Sequence, residues 1–173
     1  MIFFSGFSLK NEENLFSDYI DGSEYSICGF SYGAISALHR CVDMIDKSQR
    51  VDKLVLLSPA FFQTKDEKFK RLQLMSYKKS TLQYIKDFRR ACFSPYPEKK
   101  LESVETDISE LKELLEYEWS LKMLQKVVES GVVIEVYLGS KDAIIDVEGA
   151  RELFLKVATL TYIKDANHFL QIN

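Results

Sequence analysis

The chain has 173 residues, 46% of them hydrophobic and 28% charged, with only 7 Gly and 3 Pro; that suits one well-buried domain and excludes collagen-like, disordered and low-complexity classes. Its net charge of −3 provides no basic surface for neutralising phosphates, which excludes nucleic acid as an expected partner.

Short apolar runs recur along the chain, and most are followed by a helical pattern. The predicted strands are 1–4 (MIFF), 24–28 (EYSIC), 53–58 (KLVLLS), 132–138 (VVIEVYL) and 159–164 (TLTYIK). A helix over 32–45 is marked by Ala34, Ile35, Ala37, Leu38, Cys41, Val42 and Ile45, and a later one by Val147, Ala150, Leu153, Phe154 and Val157. Strands alternating with helices specify an α/β class with a mostly parallel sheet of about five strands. Residues 62–130 break that rhythm with long helical patterns and no convincing strand. The last of these spans 107–130, carries Ile108, Leu111, Leu114, Leu115 and Trp119, and stops at Gly131. The expected organisation is a core of residues 1–61 and 131–173 with an inserted helical cap, 62–130.

Cys28, Cys41 and Cys92 are odd in number and widely spaced, without a CxxC pair, so they are expected to be small buried residues and not metal ligands. No apolar run approaches the roughly 18 residues of a spanning helix. The opening Met1-Ile2-Phe3-Phe4 is ended by Ser5-Gly6 with no basic segment before it. A cytoplasmic protein with reduced thiols, and no membrane partner, is the expectation.

Chemistry concentrates at Gly29-Phe30-Ser31-Tyr32-Gly33, a G-x-S-x-G between a predicted strand and a predicted helix. A sharp strand-to-helix turn needs small residues on either side of a serine whose hydroxyl it lifts above the sheet. The alternative for so short a pattern is a glycine-rich turn with an incidental serine. A nucleophilic serine needs a base, and the chain has two histidines. His39 lies eight residues beyond Ser31 on the same helix, roughly 12 Å along its axis and out of reach. His168 follows the last strand in a loop that can swing over Ser31, and is the candidate base; a surface-loop histidine is the alternative. Asp142, in the loop after the fourth strand, is the candidate to orient that imidazole. Asp146 reads as a helix N-cap, and Asp165 as a turn residue. The oxyanion hole requires two backbone donors, here the N–H groups of Tyr32 and of Phe7 at the end of the first strand. No metal or organic cofactor is called for.

The order Ser31, Asp142, His168, with the elbow and the insertion after the third strand, resembles a shortened α/β-hydrolase along nearly the whole chain. The loop that reads His-Gly-x in many members has Ser5 in place of the histidine. The likeness implies that two early strands and the closing helix of the family are missing. Among compact members the chain resembles the atypical pimeloyl-acyl-carrier-protein methyl ester esterases of bacterial biotin synthesis, the BioV type. That resemblance implies attack of Ser31 on the terminal methyl ester, protonation of departing methanol by His168, and release of pimeloyl still attached to its carrier.

The cap's charge bears on such a substrate. Residues 61–100 hold 11 Lys and Arg against 4 Asp and Glu, a net +7, leaving −10 on the rest of the chain. Arg71, Lys78, Lys79, Lys86, Arg89 and Arg90 recur near helical spacing, with Leu72, Met75, Leu82, Ile85 and Phe88 on the opposite, apolar face. The basic face suits an acidic partner such as acyl carrier protein, and the apolar face suits an acyl chain. A solvated helix face balanced by the acidic run Glu98–Glu118 is the plainer reading. Phe61 and Phe62 are expected to line an acyl pocket above Ser31. Two other functions stand beside the carrier-protein esterase: a general short-chain esterase or thioesterase, and an inactive hydrolase-fold module that binds an acidic protein.

Overall fold

The computed structural model describes residues 1–173. Five parallel strands, β1 (Ile2–Phe4), β3 (Ser26–Phe30), β4 (Lys53–Leu57), β6 (Val133–Gly139) and β7 (Thr159–Ile163), form one sheet in the order β1-β3-β4-β6-β7. Each lies within two residues of its predicted position; the central β3 and β4 are buried on both faces and read as near-continuous apolar runs, β6 alternates, and β7 at the edge is largely exposed. A second, two-stranded antiparallel piece pairs β2 (Leu9–Lys10) with β5 (Glu102–Ser103). Its strands are too short to carry an alternation.

Side-chain alternation divides the core into two layers. Ile27, Leu54, Leu56, Ile134, Val136 and Leu138 share one apolar cluster with the helices α1 (Gly33–Asp46), α5 (Leu121–Glu129) and α6 (Val147–Phe154). Cys28, Phe30, Val55 and Leu57 occupy the other, covered by Phe16 of a 3-10 turn (Glu12–Phe16) and by Phe93, Phe169 and Leu170. α1 buries Ala34, Ile35, Ala37, Leu38 and Cys41. At about 1.5–3 kcal/mol for each large aliphatic side chain, that stripe fixes the helix against the sheet.

The cap consists of α2 (Glu67–Lys79), α3 (Thr81–Phe93) and α4 (Ile108–Glu116). Asp66 starts α2 by accepting the Phe69 N–H at 2.7 Å, and Asp107 with Glu110 forms a capping box on α4. The single helix expected over 107–130 is broken at Tyr117–Ser120. There Trp119 turns inward, its N–H bonding Gln63 Oε1 at 2.8 Å and its indole N–H the Ala60 carbonyl at 2.7 Å. Ser120 then caps α5. The periodicity runs through the break because Trp119 and both helices bury residues in the same core. α5 itself packs on α1, with Leu124 and Val127 buried and Lys126 2.5 Å from Asp46. α5, which lies within the segment 62–130 expected as a cap, thus packs with the sheet layer.

All three cysteines are buried and unpaired. Burial pushes the Cys41 thiol up to about 12, so it stays protonated. No helix is long and apolar enough to cross a membrane.

Candidate active site

β3 ends at Phe30, and Ser31 turns the chain into α1 with φ 52°, a left-handed conformation that costs a non-glycine residue about 1–3 kcal/mol. The turn is held by bonds from Ser31 N–H to the Leu57 carbonyl at 2.9 Å, and from the Ala34 and Ala60 N–H groups to the Ser31 carbonyl, each at 3.1 Å. The glycines on either side are a matter of space. A Cβ on Gly29 would fall well inside 3.0 Å of the Gly33 carbonyl, and one on Gly33 would do the same to the carbonyls of Phe4 and Ser5.

Across the C-terminal edge of the sheet, Ser31 Oγ lies 2.9 Å from His168 Nε2, and His168 Nδ1 lies 2.6 Å from Asp142 Oδ2. Ser31 is 3%, His168 0% and Asp142 9% exposed, so the line is screened from bulk water. An ionised carboxylate only accepts, which makes Nδ1–H the donor to Asp142 and leaves Nε2 to accept the serine proton. Asp142 is aimed through its other oxygen, which takes the N–H of Ile144 at 2.8 Å and of Ile145 at 3.3 Å. Its loop rests against the histidine loop, where the Lys141 N–H meets the Ala166 carbonyl at 2.8 Å. Phe30 packs on the His168 ring at 5.1 Å between centroids.

Asn167 belongs to the site as well, and the sequence reading passed over it. Fully buried, it donates to the Phe93 carbonyl at 2.7 Å and to Gln171 Oε1 at 2.9 Å, and accepts from the Phe169 and Gln171 N–H groups. It thus ties the histidine turn to the end of α3. The available signal was an Asn next to a loop His, which is common in turns and carries no partner information.

The N–H groups of Phe7 and Tyr32 donate to no protein acceptor. Both residues meet the cap: the Tyr32 hydroxyl donates to Glu113 of α4 at 2.7 Å, and the Phe7 ring lies edge-on to Phe88 of α3 at 5.9 Å. The loop carrying Phe7 rests on the fully buried Glu12, whose Oε1 accepts the Gly6 N–H at 2.6 Å. Burial pushes that carboxyl above its ordinary value, and the Gly6 N–H pulls it back in part. A raised folded-state value favours the neutral form, so this contribution to stability is present below the unfolded-state value and is lost as pH rises through the folded one. Glu12→Gln is therefore expected to gain stability relative to the wild type as pH rises above the ordinary glutamate value, about 4.3. Urea midpoints of the two proteins at and above that pH check this; a constant difference would contradict it.

A cavity of about 630 Å³ lies between α2, α3 and α4, lined by Phe62, Phe69, Tyr84, Phe88, Leu114 and Ile144 among others. Its Ala143–Ile144 wall directly follows Asp142. Phe62 lines it and Phe61 does not, and Ser31, Asp142 and His168 are not among its lining residues. Phe61 turns to the sheet layer and packs on Phe154 at 6.4 Å between ring centroids.

His39 is exposed on α1 and bonds the Tyr117 hydroxyl at 3.1 Å. Asp146 caps α6, and Asp165 pairs with Lys141 at 3.0 Å. Of the basic cap residues, Arg71, Lys78, Lys79, Lys86 and Arg90 are exposed. Arg89 is half-buried against Glu98 at 2.5 Å and is not free to meet a partner. The apolar face that was expected to suit an acyl chain divides. Phe88 faces the cavity, whereas Leu72, Met75 and Leu82 are exposed at 48%, 58% and 87%. α2 uses Phe69, Leu74 and Tyr77 for packing, a stripe offset from the one the spacing suggested.

No protein-family model and no curated protein matches the chain. Solved structures do match its fold. A hydrolase from Oleispira antarctica has TM-score 0.60 at 12% identity, over 85% of this chain and 59% of its own. An N-acyl homoserine lactone degrading enzyme has TM-score 0.58 at 14% identity, over 85% and 61%. A 2-hydroxy-6-oxo-6-phenylhexa-2,4-dienoate hydrolase from Rhodococcus sp. strain RHA1 has TM-score 0.53 at 15% identity, over 83% and 57%. The chain thus spans under two thirds of the length of each of these structures. At these identities the likeness concerns architecture alone, and the architecture is the α/β-hydrolase fold.

Proposed function

We propose that the protein is a serine carboxylesterase of acyl chains borne by acyl carrier protein, its substrate the methyl ester of pimeloyl-acyl carrier protein. The observation that carries the esterase reading is the buried line Ser31–His168–Asp142, at 2.9 and 2.6 Å, beside two unengaged backbone N–H groups. His168 takes the Ser31 proton as Oγ attacks the ester carbonyl, and the N–H groups of Tyr32 and Phe7 receive the oxyanion. As the tetrahedral intermediate collapses, His168 returns the proton to methanol. Water, giving a proton to the same imidazole, then attacks the acyl-enzyme, and His168 passes that proton to Ser31 Oγ as the carboxylate leaves. Asp142 holds the ring and balances its charge at each stage.

Two features support a carrier-borne acyl chain. Nine of the 15 residues lining the cavity are hydrophobic, and Gln73, Ser80 and Gln83 are among the others, a set suited to an acyl chain continuing into an amide-bearing arm. Around it, exposed Leu72, Met75 and Leu82 sit among Arg71, Lys78, Lys86 and Arg90, an apolar and basic surface complementary to a small acidic protein.

The test compares carrier-bound pimeloyl methyl ester with a nitrophenyl ester. Reversing Lys78 and Lys86 to Glu is expected to raise KM for the carrier-bound ester about tenfold or more, with a steep salt dependence in the wild type, while the nitrophenyl ester rate is the internal reference. Equal effects on both substrates, or none on either, would remove the carrier protein from the reading and leave a general short-chain esterase.

A further inference from the structure

Glu12 is fully buried, and unlike Asp142, whose side chain is buried as completely, it has no part in the reaction as derived. Its Oε1 is engaged by the Gly6 N–H at 2.6 Å, while its Oε2 is buried without a hydrogen-bond partner. A buried unpaired oxygen costs about 1–3 kcal/mol, so its retention asks for a reason. The reason lies one residue along the chain. Gly6 has both peptide groups committed, its N–H to Glu12 and its carbonyl to the Leu9 N–H at 3.1 Å. It also cannot carry a side chain, because a Cβ would meet the Phe30 ring at 2.8 Å. On the other side of the loop, the carbonyls of Phe4 and Ser5 press on Gly33, where α1 begins next to Tyr32. The backbone from Phe4 to Gly6 is thus clamped between the nucleophile helix and one carboxyl oxygen. Phe7 N–H is the neighbouring amide, and no protein group takes it.

We propose that Glu12 is a positioning residue for the oxyanion hole: by holding the Gly6 N–H it orients the next peptide, so that the Phe7 N–H points to where the ester oxygen becomes negative. The role needs an acceptor at the Oε1 position and not a charge. A full negative charge beside the hole would oppose the developing oxyanion. The upward shift of the Glu12 carboxyl by burial, described above, is consistent with an acceptor that is readily neutral. The loop has Ser5 where many members of the fold that the sequence resembles have a histidine, and a carboxyl reached from the following 3-10 turn is a different way to secure the same backbone.

The inference rests on the serine-esterase reading, and its test separates the two. Wild type, Glu12→Gln, Glu12→Ala and Glu12→Asp are compared by nitrophenyl ester kinetics, by the rate of labelling with a fluorophosphonate, and by urea midpoint. Glu12→Gln keeps an acceptor oxygen and is expected to retain kcat within about threefold. Glu12→Ala is expected to lose about 10–100-fold in kcat with KM unchanged, and to label more slowly in proportion, as loss or misplacement of one oxyanion donor does. Should Glu12→Ala fail to fold, Glu12→Asp, which withdraws the acceptor by one methylene, is expected to show the same loss in kcat. Wild-type kcat in the folded Ala or Asp variant overturns the inference, and so does equal loss in Glu12→Gln and Glu12→Ala. A wild-type protein that neither labels nor hydrolyses any ester overturns the esterase reading itself.

Discussion

Ser31→Ala is expected to lower ester hydrolysis by about 10⁴–10⁶-fold and to abolish fluorophosphonate labelling, with folding intact. The Ser31 hydroxyl makes one protein contact, to His168 Nε2 at 2.9 Å, while the turn is held by its backbone N–H and carbonyl. Removing Oγ therefore takes away the nucleophile and leaves the bonds to Leu57, Ala34 and Ala60 in place. Rates on a nitrophenyl ester and thermal melts of both proteins make the comparison. A variant with a tenth of wild-type activity would show that another group attacks the ester. Asp142→Asn extends the same experiment, with an expected loss of about 10⁴-fold: an amide in place of Oδ2 favours the tautomer whose Nε2 already carries a proton.

Gly33→Ala is expected to be among the most damaging single substitutions outside Ser31, Asp142 and His168, with a loss of at least about 3 kcal/mol. The added Cβ would overlap backbone atoms of Phe4 and Ser5, and backbone cannot rotate away as a side chain can. β1 and α1 are both packed into the main apolar cluster, so neither can withdraw without opening it. Gly131→Ala is the control. That glycine has φ 89°, but nothing lies within 4 Å of the added atom. Only backbone strain of about 1–2 kcal/mol applies there. Urea unfolding of the two variants separates steric overlap from conformational strain, and a Gly33→Ala protein as stable as Gly131→Ala would refute the account of the elbow.

What the amino-acid order settles here is local or periodic. The run Lys53–Leu57 is apolar on both faces beyond its first residue, and Val133–Gly139 alternates with Ile134, Val136 and Leu138 buried, so each announces a strand without any partner being known. The spacing of Gly29, Ser31 and Gly33 at a strand-to-helix junction marks a turn whose steric demands are set within five residues. With only two histidines in the chain, the choice of His168 needed little more than the length of a helix.

Contacts between distant segments decided the rest. Glu12 and Asn167 have no local pattern to separate them from surface residues; Gly6 lies six positions from Glu12, but the Phe93 carbonyl lies 74 from Asn167. The break at Trp119 depends on Ala60 and Gln63, nearly sixty residues earlier, so continuous periodicity could not reveal it. Whether Leu72, Met75 and Leu82 face the core or solvent was equally out of reach, because a helix with two apolar stripes shows which can be buried but not which one its neighbour covers. Periodicity is written along the chain and can be read there, whereas a hydrogen bond or a packed face between remote segments exists only once the sheet has brought them together.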